Sequence, residues 1–164
     1  MSEEISAETV AIVYDRINDK ILLGMKKQGF GKGKWNGLGG KYDSLQDRNL
    51  KETCQRELRE ETSGFEGIIP VEMGVISFRF PENPNEKIHE VHFFRIDTFM
   101  GEIRETNEML PKWFSIKEIP YNQMWIDDSY WLPLLLKGRK FIGEIDFAAS
   151  GEILRNTLKV VESL

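Results

Sequence analysis

Cysteine is almost absent: Cys54 stands alone in 164 residues, and the chain has only two histidines. One thiol excludes an internal disulfide and a cysteine-built zinc site, and this usage suits a reducing compartment, so a cytoplasmic protein is expected. His89 and His92 lie three apart. In a strand they face opposite sides and share no metal. Long apolar runs are missing too, none approaching the roughly 18 residues of a membrane span, so no membrane partner is expected. There is no cationic excess, with 22 Lys and Arg against 27 Asp and Glu for a net charge of −5. That balance argues against polymeric nucleic acid, whose binders carry a broad basic surface. The acidic start, MSEEISAE, lacks a hydrophobic segment, and neither a signal nor a transit peptide is expected. No repeat, low-complexity tract or Gly-x4-Gly-Lys-Ser/Thr loop occurs, and glycines 29, 31 and 33 do not fit dinucleotide-binding spacing. What remains, 40% hydrophobic and 30% charged, reads as one soluble domain spanning residues 1–164, and a monomer.

The stretch from Gly39 to Phe65 carries most of the information. Paired glycines and Lys41 lead through a polar loop into a helix, with Asn49 and Glu52 spaced as a capping box in which each side chain satisfies a free backbone donor. Leu50, Cys54 and Leu58 recur every four residues and share a buried face, which makes Cys54 a packed thiol. Glu57, Glu60 and Glu61, at i, i+3 and i+4, fall in one sector beside that stripe. Arg56 and Arg59 offer one way to neutralise them, as ordinary i, i+4 surface pairs. A hard divalent cation offers another, since Mg²⁺ takes oxygen ligands and bridges carboxylates to phosphates. The glycine pair upstream leaves backbone groups uncovered near the helix, as a phosphate-handling site requires.

Around this stretch the pattern is strand-rich. Thr9–Tyr14 and Lys20–Lys26 read as paired strands, and 26–36 as a glycine-dense basic loop. That loop is either a solubilising turn or a lip over a nucleotide, with Phe30 or Trp35 as a flat face. Ile68–Phe80 gives one or two strands, His89–Thr98 an antiparallel return, and Lys112–Phe114 another. The intervening loop holds Glu102, Glu105 and Glu108. Met124–Leu136 reads as a short helix capped by Asp128, burying Leu132, Leu135 and Leu136 and ending at Gly138. The adjacent Asp127 and Asp128 lie between Trp125 and Trp131. In a poorly hydrated site two such carboxylates do not both ionise, leaving one acceptor and one donor for a purine edge. Phe141–Phe147 and Ile153–Val160 finish the sheet, the latter equally readable as helix.

Gly-Gly-Lys, a spacer, then Arg56-Glu57-Leu58-Arg59-Glu60-Glu61 resembles the signature box of the Nudix hydrolases, the MutT-type pyrophosphohydrolases. Three departures stand out. Arg48 occupies the position counted for the box's first glutamate, the spacer after Lys41 is about two residues longer, and Thr62-Ser63 replaces the single residue before Gly64. The stretches Gly24–Gly37 and Met124–Leu136 resemble the branch of that family acting on oxidised purine nucleoside triphosphates, and the likeness runs from about Thr9 to the C-terminus. It implies an α+β fold, an α/β/α sandwich around a mixed sheet with the box as loop–helix–loop. It also implies Mg²⁺, or Mn²⁺ in its place, held by Gly39 through its carbonyl and by Glu57, Glu60, Glu61 and Glu108, with Glu61 or Glu108 as general base. Asn36, Asp127 and Asp128 would read the purine edge, Phe78 and Trp125 enclose the base, and Thr9, Lys26, Phe30 and Trp131 line the same pocket. His89 falls at a position where methionine meets the base in that branch. The implied reaction is hydrolysis of oxidised purine triphosphates, 8-oxo-dGTP and 2-hydroxy-dATP, to monophosphate and pyrophosphate. A Nudix module that only binds nucleotide, motivated by Arg48, and a Nudix pyrophosphatase for another nucleotide are the competing readings.

Overall fold

The computed structural model describes residues 3–164; Met1 and Ser2, the start of the acidic segment, lie outside the described residues. Strand β1 (Ile5–Asp15) begins four residues before the apolar run that announced it, because it pairs in parallel with β6 (Ile88–Ile96) from Ile5↔Ile88 onward. Polar Ser6 and Glu8 hide that extension from any hydropathy reading. β2 (Lys20–Lys26) returns antiparallel to β1, and β3 (Trp35–Asn36) adds a short rung at Gly24 and Met25. After helix α1 (Leu50–Thr62) the expected Ile68–Phe80 segment divides into β4 (Glu66–Ile68) and β5 (Val71–Arg79). The break falls at Ile69, which takes a left-handed φ of 56° ahead of Pro70. β7 (Thr98–Met100) pairs with β4 in a two-stranded sheet, and β8 (Met109–Ser115) runs antiparallel along all of β2. Helix α2 (Asp128–Leu136) precedes β9 (Lys140–Phe147), β10 (Ile153–Asn156) and β11 (Lys159–Val161), so the ambiguous C-terminal stretch is strand.

The main sheet runs β10-β9-β5-β6-β1-β2-β3, with β8 on β2 and β11 on β9. It is mixed, since β1–β6 and β5–β9 are parallel and the other pairings antiparallel. Alternation along each strand sends side chains to two separate cores. Ala11, Val13 and Phe94 pack with Cys54 and Leu58 of α1, whereas Ile12 and Phe93 pack with Trp131, Leu132 and Leu135 of α2. One helix therefore covers each face, giving the expected α/β/α sandwich.

Both helix starts differ from expectation in detail. Asn49 caps α1, its side chain accepting from the Glu52 amide at 3.0 Å. The return bond from Glu52 lands instead on the Arg48 amide at 2.7 Å, one residue earlier than a reciprocal box would place it. In α2 the N-cap position is Asp127, not Asp128, and no side chain caps the helix. Both carboxylates are engaged elsewhere. Leu132 and Leu135 are buried as expected, while Leu136 is half-buried, and Gly138 ends the segment at φ 74°.

Candidate active site

Helix α1 lays its apolar stripe against the sheet and thereby turns Glu57 and Glu61 toward the Gly39-Gly40 loop. The Gly39 amide donates to Glu61 Oε1 at 2.9 Å. A Cβ on Gly39 would sit 2.0 Å from the Thr9 carbonyl oxygen, a backbone atom, so glycine is what lets the loop lie against β1 here, and a Cβ on Gly40 would push the Glu57 carboxylate aside. Thr9 is buried behind this loop, its amide donating to the Gly40 carbonyl at 2.8 Å. The result is a cleft of about 430 Å³ whose walls include Lys26, Gln28, Gly39, Gly40, Glu57, Glu61, Glu108 and Met109. Four of the expected metal donors thus meet here, together with Lys26, which the resemblance assigned to the base pocket. Glu60 stands apart, with 55% of its side chain exposed and Arg56 Nη1 at 3.2 Å.

The electrostatics of this cleft favour a cation. Burial, reinforced by the charge of Glu57, pushes the Glu61 carboxyl up to about 8 against the pull of the Gly39 amide and Lys26. Glu57 is also raised, chiefly by burial. Among the described residues no three His, Cys, Asp or Glu side chains already converge on one point. The donor set nevertheless fits a hard divalent ion: all-oxygen, anionic and facing a solvent-reachable cleft. Cys54, beneath Glu61, is pushed up to about 12 by burial and is the packed thiol its spacing implied.

Residue counting misplaced one member of the box. Arg48, at the counted position of the first glutamate, has 88% of its side chain exposed and pairs with Glu52 at 2.6 Å. The residue before it, Asp47, turns inward and is buried. Its carboxylate accepts from Arg56 Nε at 2.8 Å and Nη2 at 2.9 Å, and from Thr53 Oγ1 at 2.9 Å. Those bonds from Arg56 hold Asp47 down to about 2. The lengthened spacer is absorbed in the loop around Asp43, whose amide donates to Asp47 Oδ2 at 3.1 Å. Arg48 therefore points away from the carboxylate cluster, and Asp47 is the buried partner of Arg56 that sequence reading overlooked. The acid adjacent to the counted position was its one signal.

The expected base-reading residues occupy the α2 side of the sheet. Asp127 and Asp128 are 5% and 2% exposed. Trp131 Nε1 donates to both, at 3.0 Å to Asp127 Oδ2 and 3.2 Å to Asp128 Oδ1. Burial raises both carboxyls, and the charge of Asp127 drives Asp128 well above the ordinary range. Asp128 Oδ2 is buried without a partner. Trp131 does not line a pocket with its ring; it is 1% exposed against Phe93, ring centroids 4.2 Å apart, and acts as the donor that fixes the two acids. The glycine-rich loop borders the cleft through Gln28 and Gly29, with Phe30 stacked on Trp125 at 5.1 Å and Lys34 Nζ over the same ring. Asn36 Oδ1 accepts from the Gly37 amide at 2.9 Å. Phe78 stacks on Phe147 at 6.0 Å and is paired across strands with His89.

The pattern model of the NUDIX domain matches residues 6–135. The chain belongs to the Nudix family. Along this Nudix chain, 145 residues are 42% identical to the oxidized purine nucleoside triphosphate hydrolase of Danio rerio, covering 88% of the chain and 90% of that protein. The Mus musculus protein of the same name is 42% identical over 144 residues, covering 88% and 89%. A crystal structure of a MutT protein from Bacillus halodurans superposes with a TM-score of 0.78 at 23% identity, over 94% of this chain and 97% of that one. In this Nudix domain both His89 nitrogens meet carboxylates, of Glu8 and Glu86, and both His92 nitrogens meet those of Glu72 and Glu90. Each histidine is held by its own two carboxylates and neither bridges to the other, in keeping with their three-residue spacing.

Proposed function

We propose that this chain hydrolyses oxidised purine nucleoside triphosphates, 8-oxo-dGTP and 2-hydroxy-dATP among them, to the nucleoside monophosphate and pyrophosphate. The observation that carries the reading is the buried Asp127–Asp128 pair with one oxygen unpartnered. Burial raises both carboxyls, and the charge of one raises the other further, which favours a proton shared between them. One then accepts and the other donates, which matches a purine edge bearing both an N–H and a ring nitrogen or carbonyl. The names of the zebrafish and mouse relatives point the same way.

In this reading the Phe30–Trp125 stack opens to admit the base, Asn36 joins the aspartates at its edge, and Phe78 closes the far side. Lys26 faces the triphosphate across the cleft. Glu57, Glu61, Glu108 and the Gly39 carbonyl would hold Mg²⁺, or Mn²⁺ as a substitute, with Glu60 joining them on leaving Arg56. When bound, the ion supplies charge neutralisation on the triphosphate and a more acidic water. Glu61 or Glu108 would orient the attacking water and accept its proton as the oxygen bonds to phosphorus and the P–O bond to the leaving group breaks. Asp47 keeps Arg56 beside Glu57 and so fixes the helix face presenting these carboxylates. We further place the enzyme in the cytoplasm as a monomer.

Pyrophosphate release from 8-oxo-dGTP, 2-hydroxy-dATP and unmodified dGTP at equal concentration, with Mg²⁺ and with chelator, tests the proposal. Metal-dependent turnover favouring the oxidised purines is expected. Absence of turnover on all three defeats it in favour of a nucleotide-binding module, and preference for dGTP refutes the base assignment.

A further inference from the structure

Lys27 directly follows Lys26 on the cleft wall, yet it serves the opposite wall. Its Nζ donates to the Thr106 carbonyl at 2.6 Å and lies 2.6 Å from Glu105 Oε1, while its amide donates to the Glu108 carbonyl at 3.0 Å. Three contacts thus run from one residue at the base of the lip to Glu105, Thr106 and Glu108, Thr106 lying 79 positions downstream. The loop they grip is tied down at its two ends, by the Arg104 amide on the Thr62 carbonyl at 3.0 Å and by the pairing of Met109 with Lys26; between those ends Thr106 accepts the Glu108 and Met109 amides through its own hydroxyl, and its amide reaches the Met109 carbonyl. Those bonds shape the turn internally. Lys27 attaches it to the lip.

From this geometry we infer that Lys27 is a positioning residue, which holds the 105–108 peptide against the lip and so sets where Glu108 enters the cleft opposite Glu57 and Glu61. The inference rests on the cleft being the metal and phosphate site. A stabilising role alone is a poor account of the contact, because the Lys27 and Glu105 side chains are 34% and 56% exposed, and ion pairs in such settings add little to folding. Placement is different. Moving a group that orients a ligand commonly costs 10- to 100-fold in activity or metal affinity.

The test is a double-mutant cycle of Lys27→Met with Glu108→Gln, with Lys27→Arg as the rescue. Lys27→Met is expected to lower kcat roughly tenfold with KM changed less than about threefold, and to weaken Mn²⁺ binding in the absence of nucleotide by a similar factor. Lys27→Arg, which still reaches Thr106 and Glu105, recovers most of both. In the Glu108→Gln background Lys27→Met has no further effect, because the group it positions is gone. Effects that multiply across the cycle, a Lys27→Met variant altered only in KM, or a silent Glu108→Gln overturn the inference. Mn²⁺ binding followed by electron paramagnetic resonance needs no turnover, so failure of the proposed substrate and failure of the Lys27 role are read separately. Thermal unfolding within about 3 °C of the parent establishes that the variants are folded.

Discussion

Asp47→Asn separates the geometry of the box from its residue count. Asparagine keeps the size of the side chain but removes its charge and turns an amino group toward Arg56 donors now 2.8 and 2.9 Å from carboxylate oxygens. The Arg56 hydrogen bonds, with help from the Asp43 amide and Thr53, hold the Asp47 carboxyl at about 2 against an ordinary 3.8. At 1.36 kcal/mol per pH unit that difference corresponds to about 2 kcal/mol of stability. The figure stays below the roughly 3–5 kcal/mol of an orphaned buried charge, because Arg56 keeps Glu57 at 3.0 Å and Glu60 at 3.2 Å. For a chain this long the loss lowers Tm by about 4–8 °C. The folded-state value lies below the unfolded one, so the contribution is complete above about pH 4 and fades as pH falls toward about 2. Urea unfolding followed by tryptophan fluorescence, at neutral pH and stepwise into acid, measures both features. The gap between parent and Asp47→Asn is expected to be constant near neutrality and to close in acid. Arg48→Ala should change stability by less than about 0.5 kcal/mol, as at an exposed site. A loss as large for Arg48→Ala as for Asp47→Asn, or a gap that persists unchanged into acid, refutes the assignment of Asp47 as the partner of Arg56.

The cleft makes a prediction of opposite sign. Glu61 is raised to about 8, so in chelator the folded protein retains a proton that the unfolded chain has lost, and stability falls as pH rises from about 4.5 to about 8. The slope contributed by this group approaches about 1.4 kcal/mol per pH unit; Glu61→Gln should abolish it and Mg²⁺ flatten it, whereas a slope unaffected by either places Glu61 outside a cation site. Glu61→Gln should also eliminate turnover while leaving purine binding largely intact, measured by quenching of Trp125 fluorescence, and near-full activity of that variant removes it from the chemistry. Asp127→Asn and Asp128→Asn should alter the ratio of kcat/KM values between oxidised and unmodified purine triphosphates more than they alter either maximal rate. Equal loss on every nucleotide defeats the edge-reading role.

Much of the site was legible because helical spacing is a local property. Glu57 and Glu61, four residues apart on a helix and beside the stripe of Leu50, Cys54 and Leu58, had to face the same way once that stripe was buried. The adjacent Asp127 and Asp128 were equally visible as an acid pair, and burial makes them one. Counting fails where the backbone leaves a regular repeat. In the spacer, an inserted loop rotates Asp47 inward and Arg48 outward, and no pattern of residue types sets that rotation. Trp131 shows the same limit, since sequence places an aromatic near the acids, while packing against Phe93 decides that only its Nε1–H reaches them.

By itself the sequence determined the two-sided sheet, the helix with its carboxylate face, the glycine loop that must lie close to it, and membership of the Nudix family. The helix and the loop follow from side-chain periodicity and from steric limits that act over a few residues, whereas the layered sheet and the family were implied by the resemblance of the box motif. Tertiary structure alone decided that Asp47 rather than Arg48 meets Arg56, that Lys26 shares the cleft of Glu57, Glu61 and Glu108, and that Lys27 ties the lip to the loop bearing Glu108. Each is a contact between segments far apart in the chain. Such contacts depend on how the sheet brings β2 and β8 side by side, and no local rule of spacing encodes that.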